Sequence, residues 1–308
     1  MPNLTNTASF VLPKASVNTK PATVAKPTVA AVTKPPTVAA PVKPVAAPAI
    51  QKGLVRALFV GINYDGIPEL ALKGCINDAM NTQVVIQKFY PKCTQMRVIT
   101  DRTTIKPTRA NILAGLEWLT AGLVSGQHVY FHYSGHGGTI VDKSGDEKSG
   151  LDSCIYPYDG ATLEGISDDE LRALLAEKIP AGSTCFAVLD SCNSGSALDL
   201  RYTWQCPAMG RLTFQQDFAY QKTRGNIIFL SGCKDDEVSL DLVNSAGTAN
   251  GALTNALLYT WRTYKTGLKM KHLLWDVRKY MKDYGIQQTP QLSSGQALSS
   301  EAAIDLTK

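Results

Sequence analysis

The stretch Thr184-Cys185-Phe186-Ala187-Val188-Leu189-Asp190-Ser191-Cys192-Asn193-Ser194-Gly195 decides how this chain is read. It starts as a short β-rich apolar run, Thr184 to Leu189, and closes in a polar turn, which predicts a buried strand. Cys192 then stands just past the carboxyl end of that strand, where open α/β sheets hold their ligands. Taken alone, the segment leaves two readings open. The thiol is either an inert small hydrophobe, as most cysteines are, or a reactive group.

A second strand favours the reactive reading. Gln127-His128-Val129-Tyr130-Phe131-His132-Tyr133 is another apolar run, and it opens into Ser134-Gly135-His136-Gly137-Gly138. Glycines let the backbone approach a ligand closely and expose its N–H groups. A thiol becomes a strong nucleophile when a base favours the thiolate, and histidine is the usual partner. If the two strands are neighbours in one parallel sheet, His136 and Cys192 face each other across its carboxyl edge. His132 reads as a core or supporting residue, and His272 sits in a helical pattern that carries no signal.

From residue 54 strand and helix patterns alternate, which predicts an α/β fold with a mainly parallel sheet and one large core. Strands are expected over Val55–Ile62, Met96–Thr100, Gln127–Tyr133, Ser153–Tyr156, Thr184–Asp190 and Asn226–Leu230. Helices are expected over Gly74–Phe89, Thr108–Leu123, Asp168–Glu177, Gly251–Tyr264 and Lys271–Tyr284. Ser167 with Glu170 three residues later forms the capping box that opens the third helix.

The pair His132-Tyr133-Ser134-Gly135-His136-Gly137 and Asp190-Ser191-Cys192 resembles the metacaspases, caspase-like cysteine peptidases, over roughly residues 55 to 307. Further matching segments are Ala57–Tyr64, Leu72–Ala79, Asp152–Asp159, Ile166–Leu171 and Leu230–Asp236. One position departs: Asn193 follows the candidate nucleophile where the family usually has histidine, which alters the surroundings of the thiol. The resemblance implies a caspase-like α/β/α sandwich and a Cys192/His136 dyad with no required third acid. It also implies an oxyanion hole from the N–H groups of Gly137 and Cys192.

The resemblance assigns Cys75, Asp78, Ser134 and Asp190 to the S1 pocket. The residues agree with that assignment: Asp190 precedes Cys192 by two positions on a strand, and Asp78 lies one helical turn from Cys75. Two carboxylates in a slot favour arginine or lysine at P1. A legumain-like enzyme would need an asparagine-selective pocket instead, and the two aspartates speak against it. A catalytically quiet scaffold is the reading from another class, and the intact His136/Cys192 pair argues against it.

Asp152, Asp168, Asp169 and Asp199 form a second acidic set. Hard oxygen donors in this number suit calcium, although Asp168 and Asp169 are also what a helix N-terminus favours. With the resemblance, calcium is the expected cofactor and switch. Asp146-Glu147-Lys148 reads as a solvated loop. Gln221-Lys222-Thr223-Arg224 reads as a self-cleavage segment matching the enzyme's own preference, with Lys222 and Arg224 as its sites and Lys34 or Lys52 as further candidates.

The first 53 residues are a different material. They hold nine of the sixteen prolines, six lysines, no Asp or Glu, and a loose Lys-Pro-x-Val-Ala repeat. Such a composition cannot bury enough apolar surface to fold alone, so residues 1–53 read as a flexible prodomain and 54–308 as a single peptidase domain. The chain has 31 basic and 26 acidic residues, so without those six lysines the rest stands at 25 against 26. The net positive charge thus belongs to the tail. Its lysines are too spaced to argue for a nucleic-acid partner. No apolar run approaches a membrane span, no secretory leader is recognisable, and seven cysteines without short paired spacing suit a reducing compartment. A cytoplasmic monomer acting on peptides or proteins is the expectation.

Overall fold

A computed structural model describes residues 51–145, 147, 150–158, 164–192, 195, 197–232, 241–243 and 249–307. Asp146, Asp159, Asn193, Cys233–Asp236, Lys34 and the tail up to residue 50 lie outside these. The chain divides into two units, Met1–Pro48 and Ala49–Lys308, and every element below belongs to the second.

The first half runs β1 (Gly53–Gly61), α1 (Cys75–Phe89), β2 (Gln95–Thr100), α2 (Arg109–Thr120), β3 (Gln127–Ser134), β4 (Gly137–Val141), β5 (Leu151–Ile155), β6 (Ile166–Ser167) and α3 (Asp168–Leu171). The second runs β7 (Thr184–Asp190), β8 (Tyr202–Ala208), β9 (Arg211–Gln216), β10 (Asn226–Ser231), β11 (Asp241–Val243), β12 (Ala249–Gly251), α4 (Ala252–Tyr264), α5 (Met270–Asp283) and β13 (Gln291–Ser294). The main sheet has eight strands in the order β2-β1-β3-β7-β10-β13-β8-β9. The first five are mutually parallel, and the last three join antiparallel.

Central strands are apolar on both faces because both faces are covered. On β1, Ala57 and Phe59 enter one core with α1, α4 and α5, while Leu58 and Val60 enter another with α2 and α3. The result is a three-layer α/β/α sandwich, as expected. Arg56 is the exception on β1, and its guanidinium donates to the carbonyls of Trp118, Leu119 and Ala121 where α2 ends. Those carbonyls have no partner within the helix, so the charge is well placed there.

Predicted elements appear within a few residues of their expected bounds, with one change of character. The third helix is α only over Asp168–Leu171 and widens into a π turn over Arg172–Ala176. Its capping box is present: Ser167 accepts from the Glu170 amide and the Glu170 carboxylate from the Ser167 amide. The sequence reading missed β4, β6, β8, β9, β11, β12 and β13. These strands are short or polar: β9 is almost wholly exposed and β13 reads Gln-Leu-Ser-Ser.

Candidate active site

Strands β3 and β7 are adjacent and parallel, with Ser134 directly beside Asp190. His136 and Cys192 therefore each stand two residues beyond a matched pair of strand ends. The two turns touch. A Cβ on Gly137 would lie 2.2 Å from the Cys192 carbonyl oxygen and 3.1 Å from the Ser191 side chain. Only glycine admits this approach, so the imidazole and the thiol are carried by residues on contacting backbones. Both residues are half-buried. The amides of Gly137 and Cys192 sit on these same two turns.

The imidazole is held on several sides. Its Nε2 lies 2.8 Å from the Leu70 carbonyl oxygen. A carbonyl can only accept, so Nε2 carries the proton and Nδ1 keeps the lone pair. The Tyr64 ring packs on the imidazole with centroids 4.6 Å apart. The backbone of His136 is also engaged, its N–H donating to Tyr64 Oη at 2.9 Å and its carbonyl accepting from Tyr133 Oη at 2.7 Å. Where many histidines lean on a carboxylate, this imidazole leans on a main-chain carbonyl.

Next to this pair, two buried carboxylates converge. Asp78, fully buried on α1, accepts from the Gly251 N–H with both oxygens at 2.9 Å and from Ser134 Oγ at 2.8 Å. Asp190 Oδ2 accepts from the N–H and the hydroxyl of Thr254, each at 2.8 Å. A Cβ on Gly251 would lie 2.2 Å from Asp190 Oδ2 and 2.7 Å from Asp78 Oδ2. The carboxylates thus meet at the N-terminus of α4, whose amides and dipole favour negative charge. Cys75 opens α1 one turn before Asp78.

The second acidic set is rearranged relative to expectation. Glu147, Asp168 and Asp199 bring one carboxylate oxygen each to within 4.8 Å of one another. Glu147 belongs to this trio and is not the solvated residue the sequence suggested. Tyr220 Oη donates to it at 2.7 Å. Asp152 and Asp169 stand outside the trio but close enough to act on Asp168 electrostatically. The Asp169 amide donates to Asp168 Oδ1 and the Ser153 amide to Asp168 Oδ2. Burial is the main cause that pushes the Asp168 carboxyl up to about 7, with Asp152 and Asp169 adding to it. Crowded, buried, hard oxygen donors fit calcium.

Other candidates fall into structural places. His132 is fully buried on β3, and burial pushes its pKa down to about 3. His128 Nδ1 accepts from the Thr184 amide. Burial lifts the thiols of Cys93 to about 11 and Cys185 to about 12, so both stay protonated and unreactive. Lys222 and Arg224 are exposed between β9 and β10, while the side chain of Gln296 donates to the carbonyls of Thr223 and Arg224 at 2.9 Å each. Lys52 is exposed just before β1.

Tyr64, Leu70, Tyr133, Glu147, Gly251 and Thr254 escaped the sequence reading. Only Gly251 left a usable signal, a glycine at the first position of an expected helix, where it proves to be the residue just ahead of α4.

A doubly covered, mainly parallel sheet that carries a cysteine and a histidine on touching turns at its carboxyl edge is the architecture of a cysteine peptidase. The metacaspase peptidase C14 domain matches residues 55–201. Metacaspase-2 of Trypanosoma brucei brucei is 33% identical over 286 residues, covering 86% of this chain and 80% of that protein. Metacaspase-1 of Schizosaccharomyces pombe is 32% identical over 306 residues, covering 83% and 70%. The chain belongs to the metacaspases, caspase-like cysteine peptidases. A crystal structure of a Geobacter sulfurreducens protein shares the fold, with a TM-score of 0.59 at 23% identity, covering 83% of this chain and 98% of that one.

Proposed function

We propose that this metacaspase is a calcium-activated endopeptidase that cuts after arginine or lysine with Cys192 as nucleophile and His136 as its base. One observation carries the specificity: Asp78 and Asp190 converge at Gly251, beside the turns that bear the dyad. A guanidinium or ammonium entering there gains charge-assisted hydrogen bonds to carboxylates already held by Ser134, Thr254 and backbone amides. Cys75, one helical turn before Asp78 on α1, is assigned to the same wall.

Chemistry follows from the tautomer. His136 Nδ1 takes the thiol proton, and Cys192 Sγ attacks the scissile carbonyl. The Nε2–H on the Leu70 carbonyl keeps the imidazolium oriented while it is charged. The amides of Gly137 and Cys192 receive the oxyanion. The imidazolium then gives its proton to the leaving amine, and a water activated by the same Nδ1 releases the acyl group.

Glu147, Asp168 and Asp199 would hold calcium, with Asp152 and Asp169 beside them. An ion held by these residues would offset the repulsion of the crowded carboxylates and would tie down the Asp199 segment, seven residues beyond Cys192. The exposed Lys222 and Arg224 are the self-cleavage sites. The chain is assigned as a monomer, and the cysteine pattern suits the cytoplasm.

The test is a panel of fluorogenic peptides with Arg, Lys, Asn or Asp at P1, assayed over a calcium titration in chelator-stripped protein. Hydrolysis of the Arg and Lys peptides alone, rising with calcium, is expected. Cleavage after Asn or Asp would refute the pocket, and a rate independent of calcium would refute the switch.

A further inference from the structure

Tyr64 follows β1 and adopts φ +57°, a left-handed conformation that bulky side chains avoid. Such backbone persists only when its surroundings hold it there, and it collects at functional sites. The cause is visible in its contacts. Fully buried, Tyr64 accepts from the His136 N–H at 2.9 Å and donates to the Tyr156 carbonyl at 2.6 Å. Its hydroxyl lies 3.3 Å from Tyr133 Oη, and its ring covers the imidazole at 4.6 Å. Tyr133 supplies the opposite hold, donating to the His136 carbonyl at 2.7 Å.

The same loop delivers the Leu70 carbonyl. Ile67 N–H donates to the Tyr64 carbonyl, Leu70 N–H to that of Ile67, and Leu72 N–H to that of Asn63. Asn63 is anchored in turn, its N–H on Asp101 Oδ2 at 2.6 Å and its side-chain oxygen accepting from the Ile76 amide at 3.1 Å. These successive turns place Leu70 against the edge of the imidazole and Tyr64 against its face. Gly135 is shaped to the same purpose. A Cβ there would come within 2.6 Å of Tyr133 Oη and 3.2 Å of Tyr64 Oη. Burial raises the pKa of both phenols, so each remains a neutral donor and acceptor.

We propose that Tyr64 is a positioning residue for His136: its ring and hydroxyl fix the imidazole so that Nε2–H stays on the Leu70 carbonyl and Nδ1 is presented to Cys192. This rests on the reading of His136 as the base. Misplacing a reacting group by about 1 Å can cost on the order of a hundredfold in rate, so the hold on the ring has a direct kinetic consequence. Tyr133 acts on the backbone of His136 alone, and Tyr64 acts on backbone and ring together.

The experiment uses the full chain with Tyr64→Phe, which keeps the ring packed on the imidazole, and Tyr64→Leu, which removes it. In a Cys192→Ala background, nitrogen NMR of labelled histidine reads the tautomer of His136. Expected are a single Nε2–H tautomer in the parent, a mixture in Tyr64→Phe and a larger mixture in Tyr64→Leu. With Cys192 present, kcat falls roughly tenfold for Phe and roughly a hundredfold for Leu, while KM for an Arg-P1 peptide stays within about twofold. A lowered Tm with an unmixed tautomer and unchanged kcat in Tyr64→Phe would make the residue merely structural and overturn the proposal. Absence of hydrolysis by the parent enzyme would refute the nucleophile–base pair instead, and the tautomer would still report on Tyr64.

Discussion

At the scale of single residues, position rather than residue type sets the surroundings of each cysteine and histidine. Cys185 and Cys192 are seven residues apart, yet one is sealed in the sheet and the other stands on the turn against Gly137. The same contrast holds for histidine. His132 is buried with both ring nitrogens lacking a hydrogen-bond partner among the described residues, and burial depresses its pKa from 6.5 to about 3. Between those values the unfolded chain binds a proton that the folded chain does not, so stability falls as pH drops through that window. His132→Leu removes the difference. Urea unfolding from pH 7 to pH 4 should show a flatter acid dependence in the variant, and parallel slopes would refute a neutral buried imidazole.

The acidic pair makes a second prediction at this scale. Asp78→Asn and Asp190→Asn each remove a carboxylate from a buried, hydrogen-bonded site. Removing one partner of a buried charge pair costs about 2–5 kcal/mol, so kcat/KM for an Arg-P1 peptide should fall by at least about thirtyfold in each variant. A neutral-P1 peptide, if cleaved at all, should lose far less. Equal losses on both peptides would mean that the aspartates hold the fold and do not read the substrate. In the sequence these two residues were legible only as a pair of candidates. Their meeting at Gly251 depends on α4, which lies more than sixty residues from Asp190, and no local pattern encodes that.

At the scale of elements, the parallel strands and long helices were legible because periodicity and apolar runs report burial on one or two faces. Strands β9 and β13 were not legible, since they are made by pairing and are exposed or polar, whereas β8 alternates buried Tyr202 and Trp204 with exposed Thr203 and Gln205, a period-two signal that was passed over. Glu147 was missed for a related reason: in a loop sequence it looks solvated, and only the return of the chain at Tyr220 encloses it. The segment between β9 and β10 shows the same dependence on distant partners. Lys222 and Arg224 are exposed, but Gln296 holds the carbonyls of Thr223 and Arg224 and the Thr223 amide donates to Gly295. A bond must leave such partners before it can lie extended in an active site. In the Cys192→Ala protein, Gln296→Ala should raise the rate of trypsin nicking after Lys222 and Arg224 several-fold. An unchanged rate would show that these hydrogen bonds do not guard the segment.

At the scale of the whole molecule, the sheet brings three acts to one edge. The ends of β3 and β7 carry His136, Cys192 and Asp190, α1 carries Asp78, the N-terminus of α4 holds both carboxylates, and the chain beyond β7 leads to Asp199 in the acidic trio. Cys192, Asp190 and the trio are thereby linked through one strand. The most direct test of that account is labelling with a peptidyl-arginine chloromethyl ketone in the presence of calcium, followed by mass mapping. The account predicts a single adduct on Cys192, absent in Cys192→Ala and strongly slowed in His136→Ala. An adduct on another cysteine, or inactivation of the enzyme with Cys192 unmodified, would contradict it.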